Sequence, residues 1–256
     1  MFRAVVSERT GGISTPPFAT LNVGRSTDDD PGAVRENERI ILRSLGLADR
    51  VARLRLEHGA RVLRPDGPGM YGPADALLTD DPELVLWFTV ADCVPVTITA
   101  GSWRAHGHCG WRGVVAGLLE AMVTALTRSV GVASSGLRAW AGPGIGPCCF
   151  EVGPEVAEGF ARAAIHPRGV LPEGTRPPSA GGYPPTRSFL DLHAEIALRL
   201  ARLGLPPEAF SVDDSCTACE SSRFFSHRRD GTPTGRLAAL SFTAPAGDRG
   251  GRSATP

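Results

Sequence analysis

A cysteine within an apolar stretch is the first group in this sequence that could carry out chemistry. Cys93 stands in Ala91-Asp92-Cys93-Val94-Pro95, directly after the apolar run Val85–Val90. Most single cysteines are packing residues of a core. Asp92 weakens that interpretation, because a carboxylate in apolar sequence costs free energy unless it is paired or serves a site. We therefore treat Cys93 as a candidate metal ligand or nucleophile.

Two histidines lie in a second segment, His106-Gly107-His108-Cys109-Gly110-Trp111-Arg112-Gly113. We interpret this segment as extended, with its histidines pointing to opposite faces, so that only one of them shares a site with Cys93. A helix is predicted to follow directly, and a helix N-terminus beside Arg112 would suit an anion such as phosphate. A tight strand-to-helix turn with a surface arginine is the plainer alternative.

A third candidate is His58, in Leu56-Glu57-His58-Gly59. A single histidine between short strands is more often structural than a ligand. It gains weight because a catalytic zinc takes three protein ligands, often a mixture of Cys and His, and keeps one position open. One cysteine and two histidines would suit such a site. A metal-free alternative makes Cys93 and His108 the dyad of a thiol hydrolase.

Two cysteine pairs lie later in the chain. Cys148-Cys149 is vicinal, and Cys216-Thr217-Ala218-Cys219 has the CxxC spacing. Together they suggest a four-cysteine zinc site, but a second CxxC is lacking and vicinal thiolates rarely hold one ion, so we favour packing or loop roles. The run Gly-Pro-Gly-Ile-Gly-Pro at 142–147 has the wrong spacing for a dinucleotide-binding loop, and we interpret it as a turn near the site.

Adjacent aromatic and basic residues mark the segment Phe224-Phe225-Ser226-His227-Arg228-Arg229-Asp230-Gly231. Its phenylalanines could contact an aromatic base, and its arginines could contact a phosphate. The alternative is an edge strand followed by a charged Asp-Gly hairpin. From the residues alone we favour the hairpin.

The elements that must position these groups are short strands mixed irregularly with helices. Helices are predicted over 31–45, with Asp30 as N-cap, and over 114–129, 154–164 and 190–203. Strands are predicted over 3–6, 51–56, 60–63, 76–79, 85–90, 94–99, 137–141, 210–212 and 237–242, with loops over 65–73 and 164–186. We therefore predict an α+β fold, a single compact domain with mixed β-sheets flanked by helices over residues 1–242, and a disordered tail over 243–256.

Composition excludes several classes of partner. The formal net charge is zero, so no overall field attracts nucleic acid or an anionic membrane, and we expect neither as a partner. All 27 basic residues are arginines, which rules out Schiff-base and lysine-base mechanisms. The N-terminal segment lacks the pattern of a signal peptide, so we expect a cytoplasmic protein whose six cysteines are reduced.

In this order, the motifs resemble those of the laccase-domain family, which was long labelled multicopper polyphenol oxidoreductase and is now regarded as zinc-dependent purine nucleoside phosphorylase. The resemblance covers nearly the whole chain. It is carried by Arg9-Thr10-Gly11-Gly12-Ile13-Ser14, Leu21-Asn22-Val23-Gly24, His58-Gly59, Ala74-Asp75-Ala76, the Cys93 and His108 segments, Gly142 through Gly153, Cys216-Thr217-Ala218-Cys219 and Phe224 through Arg229. The chain departs from the family pattern at Leu56, Glu57, Cys109 and Phe150.

The resemblance implies that His58, Cys93 and His108 are both metal ligands and catalytic residues, and that the metal is Zn²⁺ rather than copper. His106 is then the surplus histidine. The implied reactions are phosphorolysis of adenosine, inosine, guanosine and methylthioadenosine, together with deamination of adenosine. Purine nucleosides and phosphate are the expected partners of a monomer or small homo-oligomer.

The remaining site assignments concern phosphate and substrate. Arg112 and the helix that follows it would hold phosphate, with Arg228 or Arg229 assisting. Arg9 and Asn22 are further candidates for contact with substrate or phosphate. Asp92 would orient a metal ligand through a hydrogen bond.

Three other functions remain open from the sequence. A copper-dependent polyphenol oxidase would follow the older family label, although six histidines with one HxH cannot build a multicopper centre. A thiol hydrolase would use Cys93 and His108 without metal. A scaffold or cell-division accessory protein would show no turnover.

Overall fold

The structure is a computed structural model that describes residues 1–162, 170–171 and 188–244. It contains fourteen strands and six α-helices in these residues. The strands are β1 (Phe2–Val6), β2 (Val51–Leu54), β3 (Val62–Leu63), β4 (Gly69–Tyr71), β5 (Ala76–Thr79), β6 (Val85–Val90), β7 (Val94–Ala100), β8 (Trp103–Cys109), β9 (Arg138–Ala141), β10 (Glu151–Val152), β11 (Val170–Leu171), β12 (Ser188–Leu190), β13 (Phe210–Val212) and β14 (Leu237–Thr243). The α-helices are α1 (Pro31–Ser44), α2 (Trp111–Val115), α3 (Leu118–Val130), α4 (Pro154–Arg162), α5 (Leu192–Arg202) and α6 (His227–Asp230).

Two larger sheets and a small one organise these strands. The five-stranded sheet has the order β1-β14-β6-β2-β4, and the six-stranded sheet has the order β13-β9-β7-β8-β5-β3. Strands β10, β12 and β11 form a third sheet. β7 pairs with β8 antiparallel, whereas β2 with β6 and β3 with β5 are parallel. This mixture confirms the predicted α+β fold with mixed sheets flanked by helices.

Strand β8 has two chemically different faces. Gly107 and Cys109 face α3, where Met122 packs so closely that a Cβ on Gly107 would overlap its sulfur. His106 and His108 point the other way and touch Phe88 of the five-stranded sheet. The apolar face therefore fixes the helix, and the polar face is left for the site between the two sheets.

The helix predicted over 114–129 is wrong in its extent. The structure has two helices, α2 and α3, which are separated at Gly117. Gly117 has φ 91°, a left-handed conformation that other residues adopt only with strain, so the chain turns there. Helix α1 instead begins as predicted, because the Asp30 side chain accepts a hydrogen bond from the backbone N–H of Ala33 at 2.8 Å.

Two predicted irregular segments also differ. Strand β4 lies within the predicted loop 65–73 and pairs with β2. The edge strand and hairpin favoured for 224–231 are wrong, since Ser226 caps the short helix α6 there. Apart from β11, the predicted loop 164–186 lies outside the described residues, as does the predicted tail from residue 245 onward. None of the described helices is long and apolar enough to cross a membrane.

Candidate active site

Three side chains from distant segments converge at one end of β8. His58, Cys93 and His108 each offer a ligand atom, and these atoms lie within 4.8 Å of one another. The imidazole rings of His58 and His108 are nearly perpendicular, with centroids 4.9 Å apart. Antiparallel pairing of β7 with β8 sets Pro95 opposite His108, which brings Cys93 to the histidine.

Backbone geometry at the site is unusual. Within the described residues, His58 and Asp92 are the only non-glycine residues with positive φ, at 61° and 91°. Such conformations cost free energy and concentrate at functional sites. Gly110 allows the chain to pass close by, because a Cβ there would lie 2.9 Å from Cys93 Sγ.

Asp75 is the residue behind the three, and the sequence did not identify it as part of the site. Its carboxylate accepts hydrogen bonds from the backbone N–H groups of His58 at 2.9 Å and Gly59 at 2.6 Å. It also lies 3.3 Å from His108 Nδ1. A carboxylate that fixes one ring nitrogen leaves the other nitrogen for a metal. The signal was present in Ala74-Asp75-Ala76, a charge in apolar sequence before a buried strand.

The electrostatics favour an anionic sulfur. Burial raises the pKa of Cys93, but the charge of His108 and hydrogen bonds with both histidines outweigh it and bring the pKa down to about 6. Burial lowers the pKa of His108, yet Cys93 and Asp75 raise it to about 9. Thiolate sulfur is the form that ligates metals and acts as a nucleophile.

The expectation that His106 and His108 point to opposite faces is wrong. Residues two apart on a strand share a face, and both rings contact Phe88. It is instead the position of His106 along β8 that keeps this histidine out of the site. Its Nδ1 lies 2.9 Å from the Thr97 hydroxyl, and burial lowers its pKa to about 3, so it is a neutral core residue. Cys109 is buried on the face that packs against α3.

A cavity of about 840 Å³ opens over the three residues. Its polar wall includes Arg112 and Arg228, and its apolar wall includes Trp111 and Phe150. The Arg112 guanidinium lies 4.5 Å from the centre of the Trp111 ring, and Arg228 lies 5.3 Å from that of Phe150. The cavity therefore combines flat apolar surfaces with cations, the combination that an aromatic anion or an aromatic molecule plus phosphate requires.

The structure does not bring the other predicted anion-binding residues to the lining of this cavity. Arg229 donates to the carbonyls of Thr217 and Phe224. Arg9 donates to the carbonyl of Ala19 and lies over the Phe225 ring.

Asn22 has a structural place as well. It is fully buried, and its amide holds the side chains of Thr27 and Asp29 while its oxygen accepts from the backbone of Gly24 and Arg236. These bonds occupy both ends of its amide group.

Asp92 lines the cavity but does a different task from the one expected. Its two oxygens accept from the Thr217 hydroxyl and from the backbone N–H of Arg228, both at 2.7 Å. It thus fixes the start of α6 and with it Arg228. The carboxylate that orients a histidine of the site is Asp75.

Four arginines of the lining, Arg25, Arg53, Arg55 and Arg236, were not identified from the sequence. Arg25 and Arg53 enter from the α1 side and share Glu38, at 2.6 Å and 3.0 Å. Arg236 enters from the segment before β14, and burial lowers its pKa. They carry no local motif, because each arrives from an element whose position the sheet pairing decides.

The donor set fits a metal ion. Two imidazoles and a thiolate are ligands that zinc and copper both accept, and three protein ligands leave a position open toward the cavity. Asp75 supplies the hydrogen bond that usually accompanies a ligating histidine. The structure thus supports a metal site at these residues without deciding the metal.

The structure is thus that of an α+β protein with a two-histidine, one-cysteine centre beneath an arginine-lined cavity. The chain belongs to the family described as multi-copper polyphenol oxidoreductase laccase, whose model matches residues 3–243. That match confirms the resemblance seen in the motifs.

Relatives carry a different description from that family label. A purine nucleoside phosphorylase of Pseudomonas aeruginosa is 38% identical over 93% of this chain and 92% of its own length. Purine nucleoside phosphorylase YfiH of Escherichia coli is 35% identical, over 93% of this chain and 92% of its own length. The crystal structure of YlmD from Geobacillus stearothermophilus has a TM-score of 0.84 at 31% identity, covering 94% of this chain and 91% of its own. These names support an enzyme.

Proposed function

We propose that this protein is a zinc-dependent purine nucleoside phosphorylase that acts on adenosine, inosine, guanosine and methylthioadenosine. The carrying observation is one cavity that joins the His58, Cys93 and His108 centre to arginines and aromatic side chains. The relatives named purine nucleoside phosphorylase support the same function. A cavity of about 840 Å³ lies within the usual range for small-molecule sites.

Phosphorolysis requires a phosphate that is bound beside the sugar of the nucleoside. A phosphate oxygen attacks the sugar carbon, the bond from that carbon to the purine nitrogen breaks, and the base leaves with the electron pair and takes up a proton. Arg112, at the start of α2, and Arg228 would hold the phosphate, since guanidinium groups pair well with phosphate oxygens. Asp92 would keep Arg228 in place through its backbone.

The purine requires flat apolar contact, which Trp111 and Phe150 offer on the cavity wall. Stacking against such side chains is tolerant of the substituent on the ring. This agrees with a range of purine nucleosides as substrates rather than one.

The centre would hold zinc through His58, Cys93 and His108. When bound, the metal supplies Lewis-acid chemistry at an oxygen of substrate or water. Copper oxidation of phenols is the weaker alternative, because multicopper centres need several more histidines. Among the described histidines, His106 and His193 are bonded elsewhere, to Thr97 and to the Gly142 carbonyl.

Adenosine deamination is the second activity that we propose for the same cavity. Water would replace the amino group on the purine ring and ammonia would leave, with no phosphate consumed. The two reactions therefore separate by their dependence on phosphate.

Incubation with adenosine, with and without inorganic phosphate, tests both proposals. Adenine and the sugar phosphate should form only with phosphate present, and inosine should form without it. Metal content is measured on the same preparation. A zinc-loaded protein that forms neither adenine nor inosine, and leaves inosine and guanosine intact, would remove the proposal and favour a scaffold role.

A further assay separates the alternatives. Oxygen uptake with a phenol, dependent on copper, would support the oxidase. Turnover of an ester or amide that survives complete metal removal would support the Cys93 and His108 hydrolase.

A further inference from the structure

Four cysteines meet on the far side of the turn that bears Phe150. All six cysteines of the chain are described, and none of them forms a disulfide. The sulfur atoms of Cys148, Cys149, Cys216 and Cys219 lie within 4.8 Å of one another. Cys219 Sγ is 3.4 Å from the sulfur of Cys148 and 3.4 Å from that of Cys149. None of the four lines the cavity described above.

The backbone explains how a vicinal pair can converge, which spacing alone argued against. The N–H groups of Cys149 and Phe150 both donate to the Gly146 carbonyl at 3.0 Å, so the chain curls tightly around the pair. On the other side, the N–H groups of Cys219 and Glu220 both donate to the Cys216 carbonyl, at 3.1 and 3.0 Å. Two tight turns therefore present two sulfurs each.

The two turns are joined directly to each other. A parallel bridge pairs Gly144 with Cys216, and the Thr217 N–H donates to the Gly144 carbonyl at 2.9 Å. The Gly146 N–H donates to Cys216 Sγ at 3.2 Å. A side chain at Gly146 would crowd the cluster, because its Cβ would lie 3.3 Å from Cys148 Sγ. The sulfurs are thus held together by backbone geometry and not by chance contact of long side chains.

We propose that Cys148, Cys149, Cys216 and Cys219 form a second metal site, a four-thiolate site of the kind that holds zinc for structure. Zinc–sulfur bonds of about 2.3 Å in a tetrahedron set sulfurs about 3.8 Å apart. Cys219 Sγ lies 3.4 Å from two of the sulfurs, and all four sulfurs lie within 4.8 Å of one another, distances close to that value. Four thiolates fill the coordination of zinc and leave no position for substrate, so this site is structural.

A metal at this second site would stabilise the part of the cavity wall that carries Arg228. Arg228 donates to the carbonyls of Cys149 and Glu151. Arg229 donates to the Thr217 carbonyl, and the Thr217 hydroxyl donates to Asp92. The second site therefore connects the two turns that hold Arg228 in place.

Metal counting on the full chain tests the proposal, and it does not depend on any enzymatic activity. Protein purified under reducing conditions and dialysed should contain about two equivalents of zinc per chain, one for each cluster. Cys93→Ser should retain about one equivalent, and Cys216→Ser with Cys219→Ser should also retain about one. Cys109→Ala, which alters a cysteine outside both clusters, should retain both.

Cobalt substitution in Cys93→Ser gives a second, spectroscopic readout. Tetrahedral cobalt with four thiolates shows strong sulfur charge-transfer bands, and these should persist in that variant. The proposal is overturned if wild-type protein holds a single equivalent that Cys93→Ser abolishes, or if cobalt-substituted Cys93→Ser lacks these charge-transfer bands. Because both results come from the wild-type chain or Cys93→Ser, a folding failure of the double variant does not blur the outcome.

Discussion

The two cysteine-containing clusters of this protein are built in opposite ways. The centre at His58, Cys93 and His108 stands at strand ends, mixes nitrogen with sulfur and faces a cavity of about 840 Å³. The cluster at Cys148, Cys149, Cys216 and Cys219 stands on two turns, offers sulfur alone and does not line that cavity. The first is supported by a buried carboxylate, Asp75, and the second by a backbone N–H from Gly146.

The contrast separates groups that suit chemistry from groups that suit structural support. Three ligands with a carboxylate behind one of them leave an open position that a substrate can reach. Four thiolates with backbone N–H bonds make a closed site whose value is the loop geometry it holds. The following experiments test that contrast.

The largest effect is expected at the open centre. Cys93→Ser should lower kcat for nucleoside phosphorolysis by about 1,000-fold or more, because the metal site loses its only thiolate. Steady-state kinetics with adenosine and phosphate measures the loss. Cys109→Ala is the matched control, since its sulfur packs against α3. Equal activity of Cys93→Ser and wild type would contradict the assignment.

A chelator should remove metal from the open centre but not from the closed four-cysteine cluster. A chelator such as dipicolinate should remove the metal of the open centre together with activity, because that centre has a free coordination position and lines the cavity. The metal of the closed cluster should leave only after a mercurial blocks its thiols. Zinc is followed by a colorimetric indicator. Simultaneous release of both metals by the chelator would erase the distinction between open and closed.

Phosphate binding should depend on the arginines of the cavity wall rather than on either cysteine-containing cluster. Arg112→Ala should raise the KM for phosphate by about 10- to 100-fold, since one charged hydrogen-bonding group is lost. Deamination of adenosine should change little. Arg128→Ala, on the exposed face of α3, is the control. Intact phosphorolysis in Arg112→Ala would end the phosphate assignment.

Substitutions of the two carboxylates, Asp75 and Asp92, should change different measured quantities. Asp75→Asn should weaken metal binding at the open centre by about 10- to 100-fold, because the carboxylate that orients His108 is lost. Asp92→Asn should leave that affinity unchanged and raise the KM for phosphate, since it loosens the backbone of Arg228. Metal competition titrations on both variants measure the affinity of the open centre for its metal. A metal defect in Asp92→Asn instead would reverse the two roles.

The smallest effect provides the control for stability. Asp30→Ala removes the N-cap of α1 and should lower the free energy of unfolding by about 1 kcal/mol. Both metals should remain bound. Urea denaturation with metal analysis checks this, and metal loss here would mean that metal content merely follows stability.

Parts of the site could be predicted from the sequence. An aspartate beside Cys93 marked a costly charge in apolar sequence, and glycines around His108 marked close backbone approach, which Gly110 confirms. Asp75 carried the same kind of signal but lacked an adjacent reactive residue. Its partners, His58 and His108, are 17 and 33 residues away, so only their contact gives it a role.

The clearest wrong prediction concerned the faces of a strand. His106 and His108 share a face of β8, and position along the strand separates them. For the vicinal pair Cys148-Cys149 the sequence favoured packing or loop roles. Spacing along the chain does not reveal that a turn closing on the Gly146 carbonyl brings these sulfurs to those of Cys216 and Cys219.

The local elements and the residue types available for chemistry could be read from the amino-acid sequence. Apolar runs indicated the strands and Asp30 indicated a helix start. The residues alone favoured Cys93 and His108 for chemistry, and the family resemblance added His58. Which groups meet is visible only in the folded chain: Asp75 lies behind His108, Arg236 lines the cavity, and four cysteines form one cluster. The physical reason is that periodicity and capping act over a few residues, whereas strand register and loop closure bring together groups that no local pattern connects.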